Sequence, residues 1–476
     1  MIFSYLVSLA LFVTIVGLVL WSVLIKRDRE WYEFLPTFFW QSLMAGSFLF
    51  QAYNFDPRYV PTQAWSIDIF SILIFASDWV KLPRVSWLRT KYSLNLLYFA
   101  YGTILFTIFL QSLHMYYMPE IPLVVKIMDK LQTLISHYQG VDGGSLPDSY
   151  FMELRESSSK LLEVPLPFIY LCQGALYVLA PFATMVLWGH RKWALSLAFV
   201  LFSLFYSRAS LAKGTLYLFS LLMLIQIWFL LSDQLRKIFV KVMLGVGSLV
   251  FVIFSYIWFT HPSSIFIYKA DEQVVAEHLA KMEKLGAPKI LTHGDHSRLF
   301  RNEGAKRAFT EFEKFVNFLA YRIFFVPVEV SHFWYIFYPD VHGSYLGFYG
   351  LSPSTRGSPD FVHPANRLGL WAYRARFPQH YYESIRAYCS VDADAHSRWG
   401  FLGVFLIALA LAGLRILWKL FQTEGRMGKA LYASCLFVLG SALPAASFFA
   451  VFIANGVFLY FGLLLVLSLF HLKETV

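Results

Sequence analysis

The chain has 476 residues, 58% of them hydrophobic and 15% charged, and a formal net charge of +10. A soluble domain carries about 45–50% apolar and about 25% charged residues, so this composition excludes an ordinary soluble enzyme. The basic residues sit in short loops between apolar blocks, as cytoplasmic loops of a membrane protein require, which excludes nucleic-acid binding as the reason for the charge.

The apolar blocks are about 20 residues long, the length that crosses a hydrocarbon core of roughly 30 Å. The first predicted span, 2–24, has no basic n-region and no small-residue cleavage site, so it reads as a retained helix rather than a signal peptide. Further spans are expected at 34–53, 65–80 and 94–113. A loop over 114–163 follows, with an amphipathic stretch at 124–138. Spans at 165–188, 193–206, 214–231 and 238–260 come next, with a tight turn at 207–213. Residues 261–399 are too polar to cross, and three last spans are expected at 400–418, 431–446 and 448–470. The sum is an all-α, polytopic transmembrane bundle of about eleven helices. It divides into 1–260, a large loop 261–399, and 400–476.

Every segment that alternation assigns to the cytoplasm (26–33, 81–92, 189–192, 232–237, 419–430 and 471–476) contains Lys or Arg. The amino terminus and the loops 114–163 and 261–399 then face outside. The apolar run 315–337 carries Arg322, Glu329 and His332, and reads as an interfacial or re-entrant helix of the large loop. Cys172 and Cys435 lie in apolar blocks and Cys389 stands alone in the large loop, so neither a disulfide nor a zinc spacing is present. No Walker loop or dinucleotide-binding glycine motif occurs, and no cofactor is expected.

Three outer segments carry candidate chemistry. In the turn Ser207-Arg208-Ala209-Ser210-Leu211-Ala212-Lys213, Arg208 and Lys213 sit where two helices meet the outer surface. They either snorkel to lipid headgroups or form an anion site, since arginine grips a phosphate bidentately. Arg322, inside an apolar run, either pairs with Glu329 or is a second phosphate ligand; the aromatics after it, Trp334 and Tyr338 among them, form an interface belt or a sugar platform. From 356 to 398 there are six arginines and no lysine, Arg356, Arg367 and Arg398 included. That choice points to planar anion recognition, against the alternative of a solvated basic face. The segment ends in Asp392-Ala393-Asp394-Ala395-His396-Ser397-Arg398-Trp399-Gly400-Phe401-Leu402-Gly403. His396 is a candidate general base with Arg398 beside it, and His363 is the reserve. Asp392 and Asp394 are candidates to orient the base or bind sugar hydroxyls; a metal site is not expected.

The Ser-Arg turn at 207–208, the Arg-aromatic-Pro segment at 322–327 and the loop end running into Gly-Phe-Leu-Gly at 400–403 resemble the bacterial oligosaccharide repeat-unit polymerases of the Wzy type. The resemblance covers the whole chain in layout and about 40 residues in motif. Many members of that family have both termini inside, whereas the charge pattern here sets the amino terminus outside. What the resemblance implies is a GT-C-like enzyme of the bacterial inner membrane with a periplasmic active site. Its donor and acceptor would be oligosaccharides on undecaprenyl diphosphate, with membrane lipids around it and a chain-length regulator as a further partner. Arg208, Lys213, Arg322, Arg356 and Arg367 would hold the leaving diphosphate. An O-antigen ligase, another GT-C transferase and a lipid-linked oligosaccharide flippase are the rival readings.

Overall fold

The computed structural model describes residues 2–26, 30–52, 55–82, 93–118, 120–139, 166–209, 213–232, 234–236, 326–349, 363–373, 389–421, 425–448 and 450–473, with single positions 146, 150, 154 and 238. Helices dominate. In chain order they begin with α1 (Ile2–Leu20, continued by a π turn Trp21–Lys26), α2 (Leu35–Trp40), a π turn Gln41–Gly46, α3 (Ser47–Gln51) and α4 (Val60–Trp79). A short strand β1 (Ser93–Asn95) leads into α5 (Leu96–Tyr116) and α6 (Pro122–Tyr138). Then come α7 (Leu166–Gly174), a π turn Ala175–Leu179, α8 (Ala180–Gly189), α9 (Trp193–Ala209) and α10 (Lys213–Leu230). The last elements are α11 (Val326–Ile336), a π turn Phe337–Val341, α12 (Pro364–Tyr373), α13 (Val391–Leu420), α14 (Gly425–Ala442), α15 (Val457–Leu469) and β2 (His471–Lys473).

Five described helices are long and apolar enough to cross a membrane: Ile2–Lys26, Val60–Trp79, Leu96–Tyr116, Pro167–Gly189 and Val391–Leu420. Trp193–Ala209, Thr215–Leu230 and Val457–Leu469 are apolar but shorter. The predicted span 34–53 is a broken run in which α2, a π turn and α3 follow one another. The predicted span 238–260 and the loop segment 261–325 lie outside the described residues.

The chain forms two compact units. The first comprises Met1–Val80, Lys237–Ile416 and Gly440–Phe448; the second comprises Lys81–Arg236, Leu417–Leu439 and Phe449–Val476.

In the first unit several helices bury polar side chains among apolar ones and turn large apolar side chains outward. On α1, Ser4 and Ser8 are buried while Phe3, Leu6 and Val13 are exposed; on α4, Gln63, Asp68 and Asp78 are buried while Trp65 and Ile72 are exposed. A water-facing surface has the opposite preference, and a lipid-facing one has this one. The buried Asp68, Asp78 and Arg415 have partners. The Ser8 hydroxyl donates to Asp68 Oδ2 at 2.8 Å. Arg415 Nη2 lies 3.0 Å from Asp78 Oδ1 and also donates to the Glu33 carbonyl at 3.0 Å, while the Thr37 hydroxyl donates to Asp78 Oδ2 at 2.7 Å.

In the second unit the π turn at 175–179 has a direct cause. Pro181 has no N–H to offer the carbonyl four residues back, at Tyr177. The Tyr460 hydroxyl of α15 donates to that carbonyl instead, at 2.7 Å. β1 and β2 pair in parallel over three residues each, Ser93 opposite His471.

One helix start differs from expectation. The last part of the loop, too polar to cross, is expected to give way to a span at 400, yet α13 begins at Val391. Asp392 and Asp394 occupy its first turn, where carboxylates meet the positive end of the helix. Asp394 also pairs with Arg398 one turn on, at 3.1 Å. The helix kinks at Trp399 and Gly400, and Gly400 has φ +60, a conformation that glycine adopts without a steric penalty.

Candidate functional site

The site is built in the first unit, where α11 packs against the amino-terminal turns of α13. Ser331 and Tyr335, one turn apart on α11, face Ser390 and Asp392. Tyr335 donates to Asp392 Oδ2 at 2.9 Å, Ser390 donates to Asp392 Oδ1, and the Ser331 and Ser390 hydroxyls are 2.6 Å apart. Both oxygens of a fully buried carboxylate are thus committed to protein donors. Asp394 accepts from Arg398 Nε at one oxygen, Oδ1, at 3.1 Å.

Arg398 works as a strap. Its Nη1 donates to the carbonyls of Gly347 and Tyr349, at 3.2 and 3.1 Å. The backbone repeats the tie, since the N–H groups of Leu346 and Gly347 donate to the carbonyls of Ser397 and Arg398 at 2.8 and 3.0 Å. The kink makes this approach possible. A Cβ on Gly400 would sit 3.1 Å from the Tyr345 hydroxyl, and one on Gly403 would overlap the Ala395 carbonyl oxygen. Both glycines that the sequence sets at the start of the helix therefore serve close packing around residue 396.

His396 sits inside this frame, 5% exposed. Its ring lies 4.7 Å from that of Tyr335, 5.8 Å from Tyr345 and 5.7 Å from Phe401. Its Nδ1 is buried and, among the described residues, has no hydrogen-bond partner. Buried polar atoms are nearly always paired, and one that is not needs a reason. Tyr345 is 46% exposed, so one wall of the box reaches the surface. The arrangement can exchange a proton with, or hydrogen-bond, a hydroxyl entering beside Tyr345.

A second buried imidazole, His332, has a different environment. Its Nδ1 is 2.9 Å from Gln63 Oε1, and the backbone N–H of Asp56 donates to its Nε2 at 3.0 Å. Nε2 must accept, so Nδ1 carries the proton and donates to Gln63. The ring stacks on Phe55 at 4.3 Å. Burial pushes its pKa down to about 3. Nearby, Tyr59 donates to Asp340; burial, followed by that carboxylate, pushes its phenol up to about 12.

The other predicted residues are distributed as follows. His363 caps α12, its Nδ1 accepting from the Ala365 N–H at 3.1 Å. Arg367, one turn along α12, contacts His342 Nε2 at 3.0 Å and donates to the Tyr349 hydroxyl at 3.1 Å. Trp334 and Tyr338 are buried in an aromatic core with Phe333, Phe337 and Leu368, so protein takes up their ring faces. Arg208 lies in the last turn of α9 and Lys213 opens α10, both in the second unit. Arg322 and Arg356 lie outside the described residues. His332, Tyr335 and Tyr345 were not singled out by the sequence as site residues; the only signal for His332 was its polarity inside the apolar run 315–337. Among the described residues no group of three His, Cys, Asp or Glu side chains converges as metal ligands.

Asp392, Asp394 and Arg398 therefore brace the segment that carries His396, and two members of the predicted set, His396 at Nδ1 and Tyr338 at its hydroxyl, keep a buried atom without a hydrogen-bond partner among the described residues. The chain matches no protein-family model, no curated protein and no solved structure.

Proposed function

We propose that the chain is a polytopic inner-membrane enzyme of bacteria, of about eleven spans, that joins lipid-linked oligosaccharide repeat units on the outer face of the membrane. The loops 114–163 and 261–399 face the periplasm in this reading, on the strength of the basic-residue bias in the opposite segments. Donor and acceptor are both glycans on undecaprenyl diphosphate. The acceptor hydroxyl attacks the anomeric carbon of the donor, the bond from that carbon to the diphosphate oxygen breaks, and the hydroxyl proton passes to His396.

The observation that carries the reading is the His396 box: a buried imidazole whose Nδ1 has no partner among the described residues, walled by aromatic rings, one of which, Tyr335, is held by the Asp392 carboxylate. Aromatic walls suit the apolar faces of a sugar ring. A neutral imidazole suits proton removal from its hydroxyl at ordinary pH. The cationic charge that the departing diphosphate needs is assigned in this reading to the arginines of the large loop, Arg322, Arg356 and Arg367.

The test is reconstitution. Protein in lipid nanodiscs, given a repeat unit on undecaprenyl diphosphate, should produce a ladder of longer lipid-linked chains. Transfer only to an added lipid A core would make the chain a ligase. Turnover of neither acceptor by protein that remains folded would overturn the reading.

A further inference from the structure

Helix α6 is amphipathic, and its two faces are turned the wrong way round for a protein in water. Ile127, Met128, Leu131, Leu134, Ile135 and Tyr138 recur every three or four residues and are 47% to 85% exposed. The opposite face holds Asp129, Thr133 and Ser136, which are partly covered by protein. Asp129 Oδ1 accepts the backbone N–H of Leu146 at 3.0 Å, and the Thr133 hydroxyl donates to the Asp129 carbonyl at 2.8 Å. The helix packs on α9 within the second unit.

A run of six apolar side chains on one exposed face is unfavourable in water and marks a surface that something covers. The covering medium follows from what the stripe joins. α5 is long and apolar enough to cross a membrane and exposes Leu105, Phe106 and Phe109 along its length. It ends in Tyr116 and Tyr117, both exposed, at the level where aromatic belts mark the edge of a bilayer. α6 starts at Pro122, six residues after α5 ends at Tyr116. Its stripe thus begins within a few residues of the level at which α5 ends. Lys130, exposed about a quarter turn from the stripe, is set to reach the headgroup phosphates while its stem stays on the apolar side.

We propose that α6 lies along one surface of the bilayer, its 127–138 stripe sunk among the lipid acyl chains and its polar face turned toward the protein. The proposal rests on α5 crossing a bilayer and not on the polymerase reading.

The test is spin labelling of the full chain in vesicles of phosphatidylethanolamine and phosphatidylglycerol. Cys172, Cys389 and Cys435 are all buried, so single cysteines introduced at positions 124 to 138 take the label, with unsubstituted protein as the background. Oxygen accessibility should peak several-fold at 127, 131 and 134 over 129 and 133, with a helical period, and the water-soluble nickel relaxant should be excluded from the same peaks. Strong nickel accessibility along the stripe would mean that it faces water and would overturn the proposal. Low accessibility to both relaxants along the stripe would mean that protein covers it, which overturns the proposal equally. A lipid carrying a diazirine in its acyl chain gives an independent reading on the unlabelled chain: crosslinks to 127–138 are expected, and their absence while α5 is crosslinked would contradict the assignment.

Discussion

His332 and His396 are both buried in the first unit against aromatic rings, at 2% and 5% exposure. Burial therefore does not separate them; hydrogen-bond accounting does. His332 is bonded at both ring nitrogens, to groups near the start of α4, and works as a rivet between that segment and α11. His396 keeps a buried Nδ1 that has no hydrogen-bond partner among the described residues, beside an Asp392 carboxylate bonded at both oxygens. The unpartnered His396 nitrogen bears a desolvation cost that the doubly bonded His332 ring avoids.

The contrast is broken most directly by substituting the rivet. His332→Ala would take the His332 bond from Gln63 Oε1 and from the Asp56 N–H and open a cavity beside Phe55, so a loss of about 3–5 kcal/mol is expected. Thermal unfolding in detergent measures it, and a midpoint unchanged from the parent would remove the structural role. A comparable loss is expected at the paired charges near the other end of the same helix. Arg415→Met leaves Asp78 buried without its cation, at about 3–5 kcal/mol, whereas Arg415→Met with Asp78→Asn should recover much of the loss. Non-recovery in that double-mutant cycle would mean that Arg415 acts through something besides Asp78.

The next effect is a pH slope. The folded-state pKa of His332 is about 3, below its ordinary 6.5. As pH falls below 6.5 the unfolded chain takes up the proton first, so this stability is complete above 6.5 and is lost between 6.5 and about 3. The contribution approaches about 1.4 kcal/mol per pH unit in that window, and His332→Gln should flatten the dependence of the unfolding midpoint on pH. An equal slope in both proteins would assign it to other groups. The smallest effect belongs to the kink: Gly400→Ala forces a side chain into positive φ against Tyr345 and should cost about 1–3 kcal/mol, read from the same unfolding curves.

The sequence made part of this legible. The apolar blocks at 2–24, 65–80, 94–113 and 165–188 correspond to long helices because lipid imposes length and hydrophobicity residue by residue. The crowding of acid, imidazole and guanidinium at 392–398, and the glycines at 400 and 403, are also visible in the letters. The roles within that crowd are not. Asp392 reads as a free carboxylate until Tyr335, 57 positions away, is seen to occupy it. The polarity that marked 391–399 as loop is neutralised by such partners, and the segment is helical. His332 reads as a liability in an apolar run because Gln63 lies 269 positions away. Pairing across such separations leaves no periodic trace in a single chain, whereas the wrongly turned stripe of α6 does show its period and lacks only the direction it faces.

The most direct test of the account is His396→Phe in lipid nanodiscs, assayed for elongation of a lipid-linked repeat unit and for thermal unfolding on the same preparation. Phenylalanine keeps the ring in its aromatic box and removes the unpaired nitrogen. The account predicts that elongation falls by about 10²–10⁴-fold, with an unfolding midpoint equal to or above that of the parent. Turnover within about threefold of the parent, or a midpoint that falls as far as that of His332→Ala, would contradict the claim that His396 is held open for chemistry.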